Sequence, residues 1–134
     1  MRRLLLSCLV AAPLLMSAPA DAGDITDVIQ RQIEAFQAED LDAAFAVASP
    51  GIKQMFRTPE RFAEMVRSGY PMVWRPGDVR YLDRRAHPGG GQVQRVMIRD
   101  RDGTLHFLDY LMLPGEGGWN IAGVQILRGA DAGA

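Results

Sequence analysis

The chain has 134 residues, 48% of them hydrophobic, with 15 basic and 16 acidic side chains and a net charge of −1. That length fits one domain. The near-balance of charge and the lack of a basic stripe argue against a nucleic-acid partner, and a single cysteine excludes a disulfide framework.

Met1-Arg2-Arg3, then the apolar run LLLSCLVAAPLLM, then Ala18-Pro-Ala20 or Ala20-Asp-Ala22 has the three parts of a secretory signal peptide. The run is too short to span a bilayer stably. Cleavage after Ala22, with Ala20 as the alternative, leaves 112 residues, 23–134, as a single α+β domain with its core at about 25–128. It also takes away Arg2, Arg3, Cys8 and Asp21, leaving 13 basic against 15 acidic residues, a net charge of −2. A mature domain without cysteine has no thiol nucleophile and no cysteine metal site, and it tolerates an oxidising compartment. The expected location is the periplasm or the extracellular space.

Asp24 is placed to cap a helix whose apolar positions Ile25, Val28, Ile29, Ile33 and Phe36 repeat every 3.6 residues. After Glu39-Asp40 a short alanine-rich helix carries Leu41, Ala44, Phe45 and Ala48, and Ser49-Pro50-Gly51 stops it. Ile52–Phe56 reads as one further turn. Thr58-Pro59-Glu60 is a helix start with a capping hydroxyl, a proline at the first helical position and an acid at the positive end of the dipole. Phe62, Met65 and Val66 form its inward stripe, and Gly69 ends it. Prolines 71 and 76 bracket the next stretch and disfavour a regular helix there, so it should cross to a sheet in extended form.

Strands are expected at about 78–86, 92–100, 104–113 and 119–127, with Pro88–Gly91 as the first loop. Asp100-Arg101-Asp102-Gly103-Thr104 has the chemistry of a three-residue hairpin loop, Gly103 taking the left-handed position. That register pairs Ile98 with His106, Val96 with Leu108 and Arg95 with Asp109. A two-residue loop at Asp102-Gly103 is the alternative and would shift every pair by one. In the next hairpin, Leu113 facing Trp119 would set Asp109 opposite Gly123. Helices first and an antiparallel meander afterwards indicate an α+β domain, with N-terminal helices on one face of a curved four-to-five-stranded antiparallel sheet.

The segments SPGIKQMF, PERFAEMVRSGYPMVWRP, VQRVMIRDRDG and GWNIAGVQIL together resemble the domain-of-unknown-function family 4864, over roughly residues 25–128. The pattern MVxxGYPxVxRP is the most specific part. The resemblance implies a nuclear-transport-factor-2-like (cystatin-like) cone in a secreted context, with no activity attached. Related cones include isomerases, dehydratases, hydrolases and non-catalytic binders, so the fold does not choose among them.

Asp109 interrupts an apolar alternation and is the candidate general base. Arg95 opposite it would keep the carboxylate ionised, which favours a cross-strand ion pair over a base. If the Pro88–Gly91 loop has four residues, Arg84 joins Arg95 and Asp109 in a row able to receive a small anion, with Trp119 nearby. Tyr70, Trp74 and Arg75 are candidates for a pocket mouth, or else plug the end of the core. His87 and His106 are far apart and offer no metal-ligand spacing, and no motif calls for a cofactor. The open sheet face, with Met97, Phe107, Leu111, Trp119, Ile121 and Leu127, would be a large apolar patch that a second copy could cover. The expected function is a non-catalytic module binding a small ligand or a protein. The alternative is an isomerase-, dehydratase- or hydrolase-type enzyme using Asp109.

Overall fold

The computed structural model describes residues 22–128, so the expected signal segment falls outside the described residues except for Ala22. Five helices precede four strands: α1 Ala22–Gln37, α2 Leu41–Ala46, α3 Pro50–Phe56, α4 Pro59–Gly69, α5 Pro71–Trp74, β1 Pro76–His87, β2 Gly91–Asp100, β3 Leu105–Gly115 and β4 Gly118–Leu127. The strands form one antiparallel sheet in the order β1-β2-β3-β4. The domain is α+β, with helices packed against an open sheet.

Short polar side chains set the helix starts. Asp40, Ser49 and Thr58 accept hydrogen bonds from the backbone N–H groups of Ala43, Ile52 and Arg61, each three residues on. Ser49-Pro50 therefore opens α3, whereas α2 ends earlier than expected, at Ala46, leaving Ala48 outside it. Asp24 lies inside the first turn of α1, because the helix begins at Ala22. There its charge still meets the positive end of the dipole. The expectation of an extended Tyr70–Pro76 is corrected: Pro71 starts the one-turn helix α5, since its fixed φ suits the first helical position.

The core joins one helix stripe to one strand face. Ile25, Ile29, Ile33 and Phe36 of α1 pack with Val96, Ile98, Leu108, Tyr110 and Met112, all essentially sealed from solvent. An aromatic group fills the far end, with ring centroids 5.4–5.9 Å apart among Phe36, Phe45, Phe56, Phe62 and Trp74.

The central hairpin has the three-residue loop. The N–H of Asp100 donates to Thr104 O at 2.9 Å, Gly103 sits at φ +88°, and Arg95 pairs with Asp109, Val96 with Leu108 and Ile98 with His106. Asp100 anchors the turn: Oδ1 accepts from the N–H groups of Asp102 and Thr104, and Oδ2 lies 2.8 Å from His106 Nε2. His106 is thus a structural partner of the turn.

The two outer pairings differ from expectation. His87 pairs with Gly91, so the first loop has three residues and sets Arg84 opposite Gln94; a bulge between Tyr81 and Arg84 then sets Tyr81 opposite Val96. Between β3 and β4 Gly115 pairs with Gly118, so that loop has two residues and sets Pro114 opposite Trp119 and Met112 opposite Ile121; a second bulge at Leu111/Met112 then sets Asp109 opposite Gln125. Ile121 therefore turns to the helix side, 4% exposed, and Trp119 packs against the core with it, so neither belongs to the open face. Ile121 is held there by a parallel bridge to Ala48.

Candidate functional site

Two places on the molecule combine chemistry with geometry, and they lie on opposite faces of the sheet. The first is the ion cluster on the open face. Arg95 Nε donates to Asp109 Oδ1 at 3.0 Å and its Nη2 to Oδ2 at 3.3 Å, a two-point contact across β2 and β3. Arg85 reaches over from β1, its Nη2 donating to Oδ2 at 2.8 Å. The carboxylate is 7% exposed, Arg95 13% and Arg85 50%. Burial pushes the Asp109 carboxyl up, but the hydrogen bonds and charges of Arg95 and Arg85 outweigh it and hold the group below the usual carboxylate range.

Arg85 rather than Arg84 completes this cluster, which corrects the expected row. The cause is the three-residue loop, which sets Arg85 opposite Val93 and Arg84 opposite Gln94, a polar side chain 1% exposed. Its Nε2 donates to the carbonyls of Leu82 and Arg95 at 2.9 Å each, and its Oε1 accepts from Arg84 Nε at 2.8 Å. The amide fills the bulge in β1. The extra residue reconciles the loop-side register, with Arg84 on Gln94, and the pairing of Tyr81 with Val96.

The second place is a cavity of about 250 Å³ between helices and sheet. Phe36, Phe62, Val66 and Val73 form its inner wall, and Ile52, Met55 and Phe56 of α3 form another. Ile121, Val124 and Tyr110 contribute from the sheet. Among the described residues no charged one lines it. Met55, 70% exposed, stands at its rim. Gln32 is buried in the lining and spends its amide N–H on Ala44 O at 3.0 Å.

Tyr110 is fully buried, and its hydroxyl has no hydrogen-bond partner among the described residues. The two other tyrosines close enough to influence it use their protons elsewhere. Tyr70 O–H donates to Val124 O at 2.9 Å, and Tyr81 O–H donates to Gln30 Oε1 at 2.9 Å. Burial, with those neighbours, raises the Tyr110 phenol well above its ordinary range, so it is a neutral donor at any workable pH. Burial chiefly, with Glu34 and Asp27, likewise pushes Tyr81 up to about 12.

The expected pocket-mouth group divides. Tyr70 lines the cavity. Trp74 and Arg75 do not: the guanidinium lies 4.8 Å over the indole and donates to Phe36 O at 3.0 Å, tying α5 to the end of α1. Trp119 lines a separate cleft with Val28, Val47 and Lys53. Among the described residues no three His, Cys, Asp or Glu side chains are grouped to hold a metal ion, and no helix is long and apolar enough to cross a membrane.

Sequence reasoning missed the roles of Arg85, Gln94 and the Tyr110 hydroxyl. A polar Gln94 at a central strand position was the available signal for the first two.

A family model described as "Domain of unknown function (DUF4864)" matches residues 18–134. No curated protein matches the chain.

Proposed function

The chain belongs to the DUF4864 family, and we propose that it is a non-catalytic binding module, exported to the periplasm or beyond, for a small ligand or a protein. One observation carries the proposal. Asp109, the buried carboxylate among the described residues, is neutralised by two guanidinium groups on the face opposite the cavity. A general base needs a pKa raised toward neutrality and a place beside its substrate. Asp109 has the opposite shift and looks away from the cavity, so the isomerase-type alternative lacks its base. The cavity lining holds neutral side chains that bind by contact and hydrogen bonding rather than by proton transfer.

Export rests on the three-part segment at residues 1–22. Self-association rests on the open sheet face, where Met97, Phe107, Leu111 and Leu127 are each partly exposed around the ion cluster. A two-fold contact with a second copy would cover them. Light scattering at micromolar concentration should give twice the chain mass, and a strictly monomeric species would remove the dimer.

Native mass spectrometry after incubation with a small-molecule extract tests the main reading. A molecule held and released with unchanged mass supports a binder. Conversion of that molecule to a product of different mass would overturn the non-catalytic part.

A further inference from the structure

Resting on the binding reading above, we infer that the helix–sheet cavity takes an uncharged, mainly apolar molecule that accepts one hydrogen bond, such as a small aryl ketone, from the Tyr110 hydroxyl. Three observations converge on that chemistry.

Size comes first. A cavity of about 250 Å³ exceeds the roughly 150 Å³ apolar void that holds benzene and falls just below the usual range for drug-sized ligands, about 300–1,000 Å³. One substituted ring fits it. Charge comes second. Since no charged side chain among the described residues lines the walls, an ion would lose its hydration without gaining a countercharge. Anions and cations are both excluded.

The third observation is the orphan donor. Buried hydroxyls in native proteins nearly always have partners, and one without a partner calls for an explanation. Tyr110 lines this cavity, its hydroxyl is sealed and unpartnered, and Tyr70 and Tyr81 donate elsewhere. A ligand oxygen supplies what the chain does not. Because the hydroxyl is closed off, an acceptor reaches it only when the wall yields. Met55 and Met65 are the unbranched, adaptable side chains in that wall. A carbonyl accepts from a phenol without giving up a proton of its own, so a ketone or ester suits the site better than a hydrocarbon or an acid.

The test uses three probes of similar shape, acetophenone, α-methylstyrene and benzoate, titrated calorimetrically into the protein and into Tyr110→Phe. Acetophenone should bind the variant about tenfold more weakly than the parent, the size of one hydrogen bond. α-Methylstyrene should bind both proteins equally, and benzoate should bind neither. Equal affinity of acetophenone for both proteins overturns the hydrogen bond while leaving the apolar cavity site standing. Binding of benzoate overturns the charge argument. Failure of both neutral probes to bind the parent removes the cavity as a ligand site altogether. A marked loss of thermal stability in Tyr110→Phe would also overturn the inference, because it would mean that the hydroxyl already has a partner within the chain.

Discussion

Gln94 and Arg85 serve opposite faces of one register: Gln94 fills the β1 bulge, and Arg85 holds Asp109 at 2.8 Å. The three-residue loop sets Arg85 opposite Val93, on the Asp109 side, and the bulge that Gln94 fills reconciles that register with the pairing of Tyr81 to Val96.

Gln94→Leu should therefore do more than remove hydrogen bonds. It leaves the carbonyls of Leu82 and Arg95 without this donor, costing about 2–3 kcal/mol. It should also weaken the hold on Asp109, so that Arg85→Ala costs less when combined with Gln94→Leu than in the parent. A double-mutant cycle by urea unfolding measures this, and strict additivity would count against the bulge as the link.

Asp109→Asn should destabilise the fold by about 2–3 kcal/mol, less than a wholly buried pair because Arg85 is half exposed. The substitution leaves two cations facing a neutral amide. Unchanged unfolding free energy would show that the cluster does not hold the strands.

The same residue sets a pH dependence. Its folded pKa lies below that of the unfolded chain, which is about 3.9. The unfolded state therefore takes up the proton first as pH falls. The stabilisation is present above about pH 4 and is lost as pH drops through the folded pKa. Asp100, held low by its hydrogen bond to His106 and by the N–H of Thr104, works in the same direction. Stability followed between pH 5 and 2 should fall less steeply in Asp109→Asn than in the parent. Parallel curves would contradict the assignment.

Two tyrosines should separate cleanly. Tyr110→Phe removes an unpartnered hydroxyl and should leave stability unchanged or raise it by up to about 1 kcal/mol. Tyr70→Phe breaks the bond to Val124 O and should cost about 0.5–1.5 kcal/mol. Thermal unfolding of the pair checks the order, and a larger loss for Tyr110→Phe would reverse the argument.

Gly91→Ala tests a close approach. A Cβ there would come within 2.8 Å of Met112 O and of Leu113 Cδ2. Since a backbone carbonyl cannot swing aside, the β2–β3 pairing must spread, at about 1–3 kcal/mol. Gly69→Ala, where a Cβ meets nothing within 4 Å, is the control.

Residues close in sequence determined much of this on their own. Thr58-Pro59 starts α4 because cap and proline act within one turn of themselves. Asp100 and Gly103 build the loop that puts Arg95 against Asp109, because a tight turn transmits its register along both strands. What lay beyond reach was decided by partners distant in the chain. Arg84 and Arg85 changed places because the first loop has three residues rather than four, a register that coexists with the pairing of Tyr81 to Val96 only through the bulge that Gln94 fills. Ile121 and Trp119 turned inward because the β3–β4 loop has two residues, and Ala48, on the link between two helices, holds Ile121 there through a parallel bridge. Strand alternation has a period of two, so a single inserted residue reverses every face assignment after it. A bulge is chosen by packing and hydrogen bonds from another element, and only the folded chain brings that element near. The cavity has the same origin: α1, α3, α4 and the sheet each supply part of its wall, and no single stretch of sequence contains its outline.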